Sequence, residues 1–160
     1  MNFTTADLCD AFPDAVKVAE PVLARFGGLS HFAGPIETLR VFEDNGLVRA
    51  TLETPGEARV LVVDGGGSLR TALVGGRLAA LAQTNGWAGL VVNGCVRDSA
   101  EIAEIKIGIR ALTTSPMRSS KSGAGTRGGT VTFAGLVFSP GQYLYSDADG
   151  LLVASRSLTD

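Results

Sequence analysis

A chain of 160 residues, 45% hydrophobic and 19% charged, is long enough to bury one core and too apolar to be an unfolded polymer. Its formal net charge of −2 lacks the basic excess of a broad nucleic-acid-binding surface, and no apolar run reaches membrane-spanning length. The opening residues, Met1-Asn-Phe-Thr-Thr-Ala-Asp7, show neither the basic nor the apolar region of a secretory leader, so the chain reads as one cytoplasmic domain over residues 1–160, with no nucleic-acid or membrane partner.

In chain order, Thr4 or Thr5 can cap a short helix over Ala6–Phe12. Pro35–Phe42 and Val60–Val63 read as strands, with Asn45–Glu53 as the helix between them. After Asp64-Gly-Gly-Gly67, the spacing of Leu78, Leu81 and Ala82 predicts a helix over Arg77–Gln83, stopped by Asn85-Gly86. Gly75-Gly76 therefore stands at a helix start. Free backbone N–H groups attract anions there, and the missing Cβ atoms let a ligand approach; a tight structural turn is the other use of such a pair. Leu90–Asn93 reads as a strand and Ala100–Ile107 as an amphipathic helix, followed by a strand over Arg110–Thr114. Ser115–Gly129 is rich in Ser and Gly and carries Arg118, Lys121 and Arg127. It reads as a solvated, mobile loop able to touch an anionic partner. Beyond it, Thr130–Ala134, Leu136–Phe138, Tyr143–Tyr145 and Leu151–Ala154 read as short strands, with turns at Pro140-Gly141 and Asp149-Gly150. Alternation in the middle and strands at the end make the class α/β, layered β/β/α rather than doubly wound.

Arg97 and Asp98 fall in the turn from the Leu90–Asn93 strand into the next helix, and the carboxyl ends of strands are where ligands collect in α/β proteins. A guanidinium beside a carboxylate can clamp an anion and hold a hard cation. Asp98-Ser-Ala-Glu101 also spells a capping box, and one carboxylate can serve both purposes. Cys9 and Cys95 are the only cysteines and His31 is the only histidine. Cys95 reads as an apolar packing residue and His31 as a loop residue, which leaves no Cys–His pair for catalysis. Any metal must then be held by oxygen, which favours Mg²⁺ or Mn²⁺. Gly123-Ala-Gly125-Thr-Arg-Gly128 matches a dinucleotide-binding spelling but lacks the strand before it and the helix after it, so no nucleotide cofactor is expected.

Gly76, twenty residues, Arg97-Asp98, two residues and Glu101 form a spaced pattern. With Asp7-Leu-Cys-Asp10, Phe26-Gly-Gly28, Phe42-Glu-Asp-Asn-Gly-Leu47, Arg59–Gly67, Gly89-Leu-Val91 and Leu144-Tyr-Ser-Asp147, it resembles the family of the regulator of ribonuclease E activity A (RraA). The class II 4-hydroxy-4-methyl-2-oxoglutarate aldolases belong to the same family. The resemblance implies a swivelling-domain (phosphohistidine-domain-like) β/β/α fold assembled as a homotrimer, which can pair into a hexamer. It implies a lyase that releases pyruvate from small 2-oxo acids, with Arg97, Asp98 and Glu101 as the catalytic set. Asp98 would anchor the divalent cation, Mg²⁺ or Mn²⁺, and Glu101 would orient its water. Arg97 would grip the substrate and stabilise the enolate, and the backbone of Gly75, Gly76, Arg77 and Leu78 would bind its carboxylate end. Members suited to aldol cleavage carry an aspartate where this chain has Gly76. That departure weakens the aldolase reading more than oxaloacetate decarboxylation, which needs no base to begin. The alternative is a non-catalytic regulator that binds ribonuclease E; the members with that role have lost the carboxylate at the position of Asp98, which this chain keeps.

Overall fold

In the computed structural model, which describes residues 2–159, helix α1 (Thr5–Ala11) starts under Thr4, whose hydroxyl accepts the Asp7 N–H at 3.0 Å. Strands β1 (Val16–Val18), β2 (Ala24–Phe26) and β3 (Phe32–Arg40) lead to helix α2 (Gly46–Leu52). Strands β4 (Val60–Asp64) and β5 (Ala72–Val74) precede helix α3 (Gly76–Thr84), strand β6 (Gly89–Val96), the one-turn helix α4 (Ser99–Ile102) and strand β7 (Gly108–Thr114). The remaining strands are β8 (Thr126–Arg127), β9 (Val131–Phe133), β10 (Leu136–Phe138), β11 (Tyr143–Ser146) and β12 (Leu151–Ala154).

One large mixed sheet runs in the order β1-β12-β11-β3-β4-β6-β7-β2, with β5 added to β6 and β8 to β3. Pairing is parallel from β3 through β4 and β6 to β7, and antiparallel on both flanks. The period-2 geometry of a strand explains why the central runs are apolar throughout. Leu61, Val63, Leu90 and Val92 point to one face, where Val48 and Leu52 of α2, Ala79 and Ala82 of α3 and Ile102 of α4 pack on them. Val60, Val62 and Val91 point to the other, covered by Val131 and Phe133 of β9 and Leu136 and Phe138 of β10. The chain is thus a mixed α/β domain with helices on one face of the sheet and a hairpin on the other. Among the described residues no helix is long and apolar enough to cross a membrane.

A buried cation ties the carboxyl-terminal strands to this sheet. Arg110 of β7 donates to Ser146 Oγ at 2.9 Å and Leu23 O at 2.8 Å, and also to the carbonyls of Asp147 and Gly150. The Asp147 carboxylate takes the backbone N–H and the hydroxyl of Thr5, each at 2.7 Å, and so docks α1.

Three local expectations change. The helix over Ala100–Ile107 is only Ser99–Ile102: the N–H groups of Glu104 and Ile105 bond three residues back, to Glu101 O and Ile102 O, and that of Ile107 bonds to Ile105 O, so the chain tightens out of the i→i−4 ladder. The Asp98 side chain makes no bond to its own helix, so the capping box does not form. Ser115–Gly129 is not a free loop. Ser119 is buried, its hydroxyl donating to Ala72 O at 2.7 Å, and the Asp44 carboxylate gathers the N–H groups of Gly46, Ser122 and Gly123 together with the Ser122 hydroxyl.

Candidate active site

Parallel pairing brings the two distant glycine and Arg-Asp segments together. Val74 of β5 lies beside Val96 of β6, so Gly75-Gly76 and Arg97-Asp98 leave neighbouring strands at the same end of the sheet. The Arg97 N–H donates to Val74 O at 2.9 Å, and the Ser115 N–H, just after β7, donates to Val96 O at 3.0 Å. Three parallel strands therefore end at one place, where a cleft of about 730 Å³ opens. Gly75, Arg77, Leu78, Arg97, Asp98 and Glu101 line it. Gly76, at the buried start of α3, lies directly behind them.

Asp98 sits in the left-handed region, at φ 58° and ψ 42°, a conformation that non-glycine residues adopt rarely and mostly at special sites. The consequence is visible in its side chain. Its carbonyl accepts the Ile102 N–H of its own helix at 2.8 Å, but Oδ2 accepts the Gly76 N–H at 3.0 Å. The carboxylate thus caps α3 rather than α4. Of the first-turn amides of α3, Gly76 is engaged by Asp98, while those of Arg77 and Leu78 find no acceptor among the described residues. The helix start still offers two donors to an anion.

Neither glycine has a positive φ; what the missing Cβ permits at each is the close approach of a neighbouring side chain. A Cβ at Gly75 would lie 2.8 Å from Asp98 Oδ2 and 3.4 Å from Arg97 Cγ. A Cβ at Gly76 would lie 2.3 Å from the Glu101 carboxylate carbon. The Arg97 and Asp98 side chains therefore cross over Gly75, and the Glu101 carboxylate occupies the space over Gly76. Arg97 makes one long bond to Pro116 O, at 3.4 Å, and Glu101 accepts no hydrogen bond among the described residues, so both groups are open to a ligand.

The cleft also contains residues that were not singled out as site residues from the sequence. Arg49 pairs with Glu53 at 3.0 Å. Setting that pair aside, Arg77, Arg97, Arg118 and Lys121 face only Asp98 and Glu101 across the cleft, and none of these four cations has an ion-pair partner among the described residues. Arg118 and Lys121 are legible in the sequence as the basic residues of the Ser/Gly-rich loop; what it does not show is that this loop is bridged to Ala72 and Asp44, which brings them to the cleft. The other sequence candidates lie apart. Cys95 is fully buried and burial pushes its thiol up, which suits packing and not nucleophilic attack. His31 is exposed, its ring edge-on to Phe3. The Gly123–Gly128 spelling runs into the short strand β8 along β3, with no helix after it.

The architecture defines a class: a mixed α/β domain whose cleft, with an excess of positive charge, opens at the carboxyl ends of parallel strands. The chain belongs to the RraA-like family, whose model, described as Aldolase/RraA, matches residues 5–153. It is 57% identical over 164 residues to a Burkholderia multivorans protein provisionally named 4-hydroxy-4-methyl-2-oxoglutarate aldolase, covering 99% of this chain and 100% of that one. Among solved structures, the RNA-processing inhibitor RraA from Thermus thermophilus superposes with a TM-score of 0.94 at 47% identity, covering 99% of this chain and 96% of that one. A Geobacillus kaustophilus structure described as an S-adenosylmethionine:2-dimethylmenaquinone methyltransferase gives 0.95 at 50% identity, with 98% and 97% covered.

Proposed function

We propose that this protein is a carbon–carbon lyase that acts on small 2-oxo acids and releases pyruvate, as a 4-hydroxy-4-methyl-2-oxoglutarate aldolase, an oxaloacetate decarboxylase, or both. The observation that carries the reading is the convergence of Arg97, Asp98, Glu101 and the start of α3 on one cleft, locked by the bond from Gly76 N–H to Asp98 Oδ2. In this reading the N–H groups of Arg77 and Leu78 bind the carboxylate next to the keto group. The planar guanidinium of Arg97 binds the keto oxygen and stabilises the negative charge that grows on it.

Two bond cleavages lead to the same enolate. In the aldol case the C4 hydroxyl loses its proton, the C3–C4 bond breaks, and the products are pyruvate and pyruvate enolate, which takes a proton at C3. In the decarboxylation case the C3–C4 bond breaks with loss of CO₂, and no hydroxyl proton has to be removed. Glu101, without a donor of its own, holds water at the reacting end. With Gly76 supplying no acid or base, we place decarboxylation ahead of aldol cleavage.

The donor set fits a hydrated hard cation. Among the described residues no three His, Cys, Asp or Glu side chains form a metal cage, but Mg²⁺ keeps several waters and needs only one or two carboxylates. Asp98, with Glu101 near it over the glycine pair, would hold Mg²⁺ or Mn²⁺; such an ion supplies Lewis-acid stabilisation of the enolate. Pyruvate release by chelator-treated protein, measured with and without Mg²⁺ or Mn²⁺ on both substrates, tests the reading. Absence of turnover on both, under all metal conditions, contradicts it.

The likeness to the Thermus inhibitor supports a second reading, a regulator that binds ribonuclease E. Inhibition of ribonuclease E cleavage in vitro, unchanged in Asp98→Asn, would support that role as one independent of the cleft. We further propose a swivelling-domain β/β/α fold, a cytoplasmic setting and a homotrimer, which can pair into a hexamer; light scattering that finds only monomer at micromolar concentration contradicts the assembly.

A further inference from the structure

We propose that Ser119 is a positioning residue: its buried hydroxyl fixes the register of β5 and, through that strand, the place of the Gly75-Gly76 amides opposite Asp98. For its effect on rate the inference rests on the 2-oxo acid reading. Strand β5 is the most weakly held of the strands that reach the cleft. It spans three residues, and its pairing with β6 shifts register between Ala72↔Cys95 and Val74↔Val96. A ladder so short, and broken by an irregularity, specifies its register weakly. Yet Gly75 follows Val74 directly, and the Gly76 N–H has to meet Asp98 Oδ2 at 3.0 Å.

The loop after β7 supplies the missing constraint along the other edge of β5. Ala72 forms a parallel bridge with Arg118, and its N–H donates to Met117 O at 2.8 Å. The Ser119 hydroxyl donates to Ala72 O at 2.7 Å and bonds the Thr71 hydroxyl at 2.9 Å. A serine hydroxyl has one proton, and the Ala72 carbonyl can only accept it, so Thr71 is the donor of the second bond. The chain from Thr71 O–H through Ser119 O–H to Ala72 C=O therefore grips two consecutive residues at the start of the strand. Ser115, the other buried serine of this loop, donates to Arg70 O at 3.2 Å, one residue upstream. Ser119 is buried in the cleft wall, where chained hydrogen bonds strengthen one another and specify a single arrangement. A slip of β5 along β6 would break both Ser119 bonds and carry the Gly76 N–H away from Asp98.

Ser119→Ala removes the proton and little volume. Two readouts separate positioning from plain stability: the amide proton shift of Gly76 in the metal-free protein, and kcat/KM for pyruvate release from oxaloacetate with Mg²⁺. An amide bonded to a carboxylate resonates downfield, the more so the shorter the bond. In Ser119→Ala the Gly76 proton should move upfield. Its kcat/KM should fall at least about tenfold, since a 1 Å misplacement costs on the order of a hundredfold. Thr71→Val deletes only the outer donor. It should move Gly76 the same way by less, and should add nothing in the Ser119→Ala background, because the chain runs through Ser119. Thr5→Ala deletes another hydroxyl bond of 2.7 Å, to Asp147, and should lower Tm while leaving both readouts unmoved. Circular dichroism checks that each variant folds; if Ser119→Ala does not, Thr71→Val carries the test. An unmoved Gly76 shift in the folded variant overturns the proposal, and so does a moved shift with native kcat/KM. A native chain that turns over neither substrate overturns the 2-oxo acid reading, and the Gly76 shift then still decides whether Ser119 sets the register.

Discussion

Replacing Asp98 separates its structural bond from its charge. Asparagine retains a carbonyl oxygen that can accept the Gly76 N–H, now 3.0 Å from Oδ2, and it tolerates the left-handed backbone at φ 58° better than most residues. What is lost is a negative charge at the start of α3, worth about 0.3–1 kcal/mol. Asp98→Asn should therefore cost under about 1 kcal/mol, a fall in Tm of about 2–4 °C for a domain of this size. Asp98→Ala also removes the acceptor, about 1 kcal/mol. It further leaves an alanine in the left-handed region, about 1 kcal/mol more, so its total loss should be about 2–3 kcal/mol, roughly three times that of asparagine or more. Activity should not follow this order. Both variants lose the only charge that Asp98 offers a hard cation, and both should lose turnover by about a hundredfold or more. Thermal unfolding without metal, Mg²⁺ titration and coupled pyruvate release on the same preparations measure the three effects. Full metal-stimulated turnover by Asp98→Asn would refute the proposed role of the carboxylate. Equal destabilisation by Asn and Ala would refute the structural role of its bond to Gly76.

Two further outcomes follow from the geometry. Gly76→Ala puts a Cβ where the Glu101 carboxylate lies, 2.3 Å from its carbon. Since alanine suits the first helical turn, the variant should keep its Tm within about 1 kcal/mol equivalent while turnover falls to the level of Glu101→Gln; full turnover in Gly76→Ala would show that Glu101 need not stay where it is. Asp44 has its pKa depressed from 3.8 to about 2, so the stability it contributes is complete above pH 4 and is lost as pH falls through 2. Asp44→Asn should cost about 1–3 kcal/mol at pH 7, because an amide cannot accept every donor now aimed at the carboxylate. It should also flatten the acid unfolding profile between pH 4 and 2; an unchanged profile would remove Asp44 as the loop's anchor.

The central elements were legible because each obeys one strong rule. Val60–Val63 and Leu90–Asn93 are apolar on both faces because both faces are covered, and Leu78 with Ala82 marks the buried side of α3. Strands β1, β2 and β5 span three residues each, too short for alternation to declare itself. Ala100–Ile107 reads as a longer helix because Ile102 and Ile105 stand three apart, whereas the chain tightens into i→i−3 turns after Ile102 and then runs along Gly28 and Leu29, a segment far away in sequence. The same limit applies at the site. The pattern from Gly75 to Glu101 located the cleft, but Asp98 reads as a local cap and bonds instead to a different helix. Nothing local in Ser115–Gly129 shows that Asp44, across the fold, fixes it.

The claim that the cleft performs the chemistry is tested most directly by the rate of pyruvate release from oxaloacetate by Arg97→Lys against the native chain, at saturating Mg²⁺. The fold should be unchanged, since among the described residues the Arg97 side chain makes one long bond, at 3.4 Å, to Pro116 O. Lysine keeps the charge but not the planar fork. The account predicts a loss of about a hundredfold or more in kcat/KM, as for other preorganised donors to a developing oxyanion. Near-native turnover in the folded variant would contradict it.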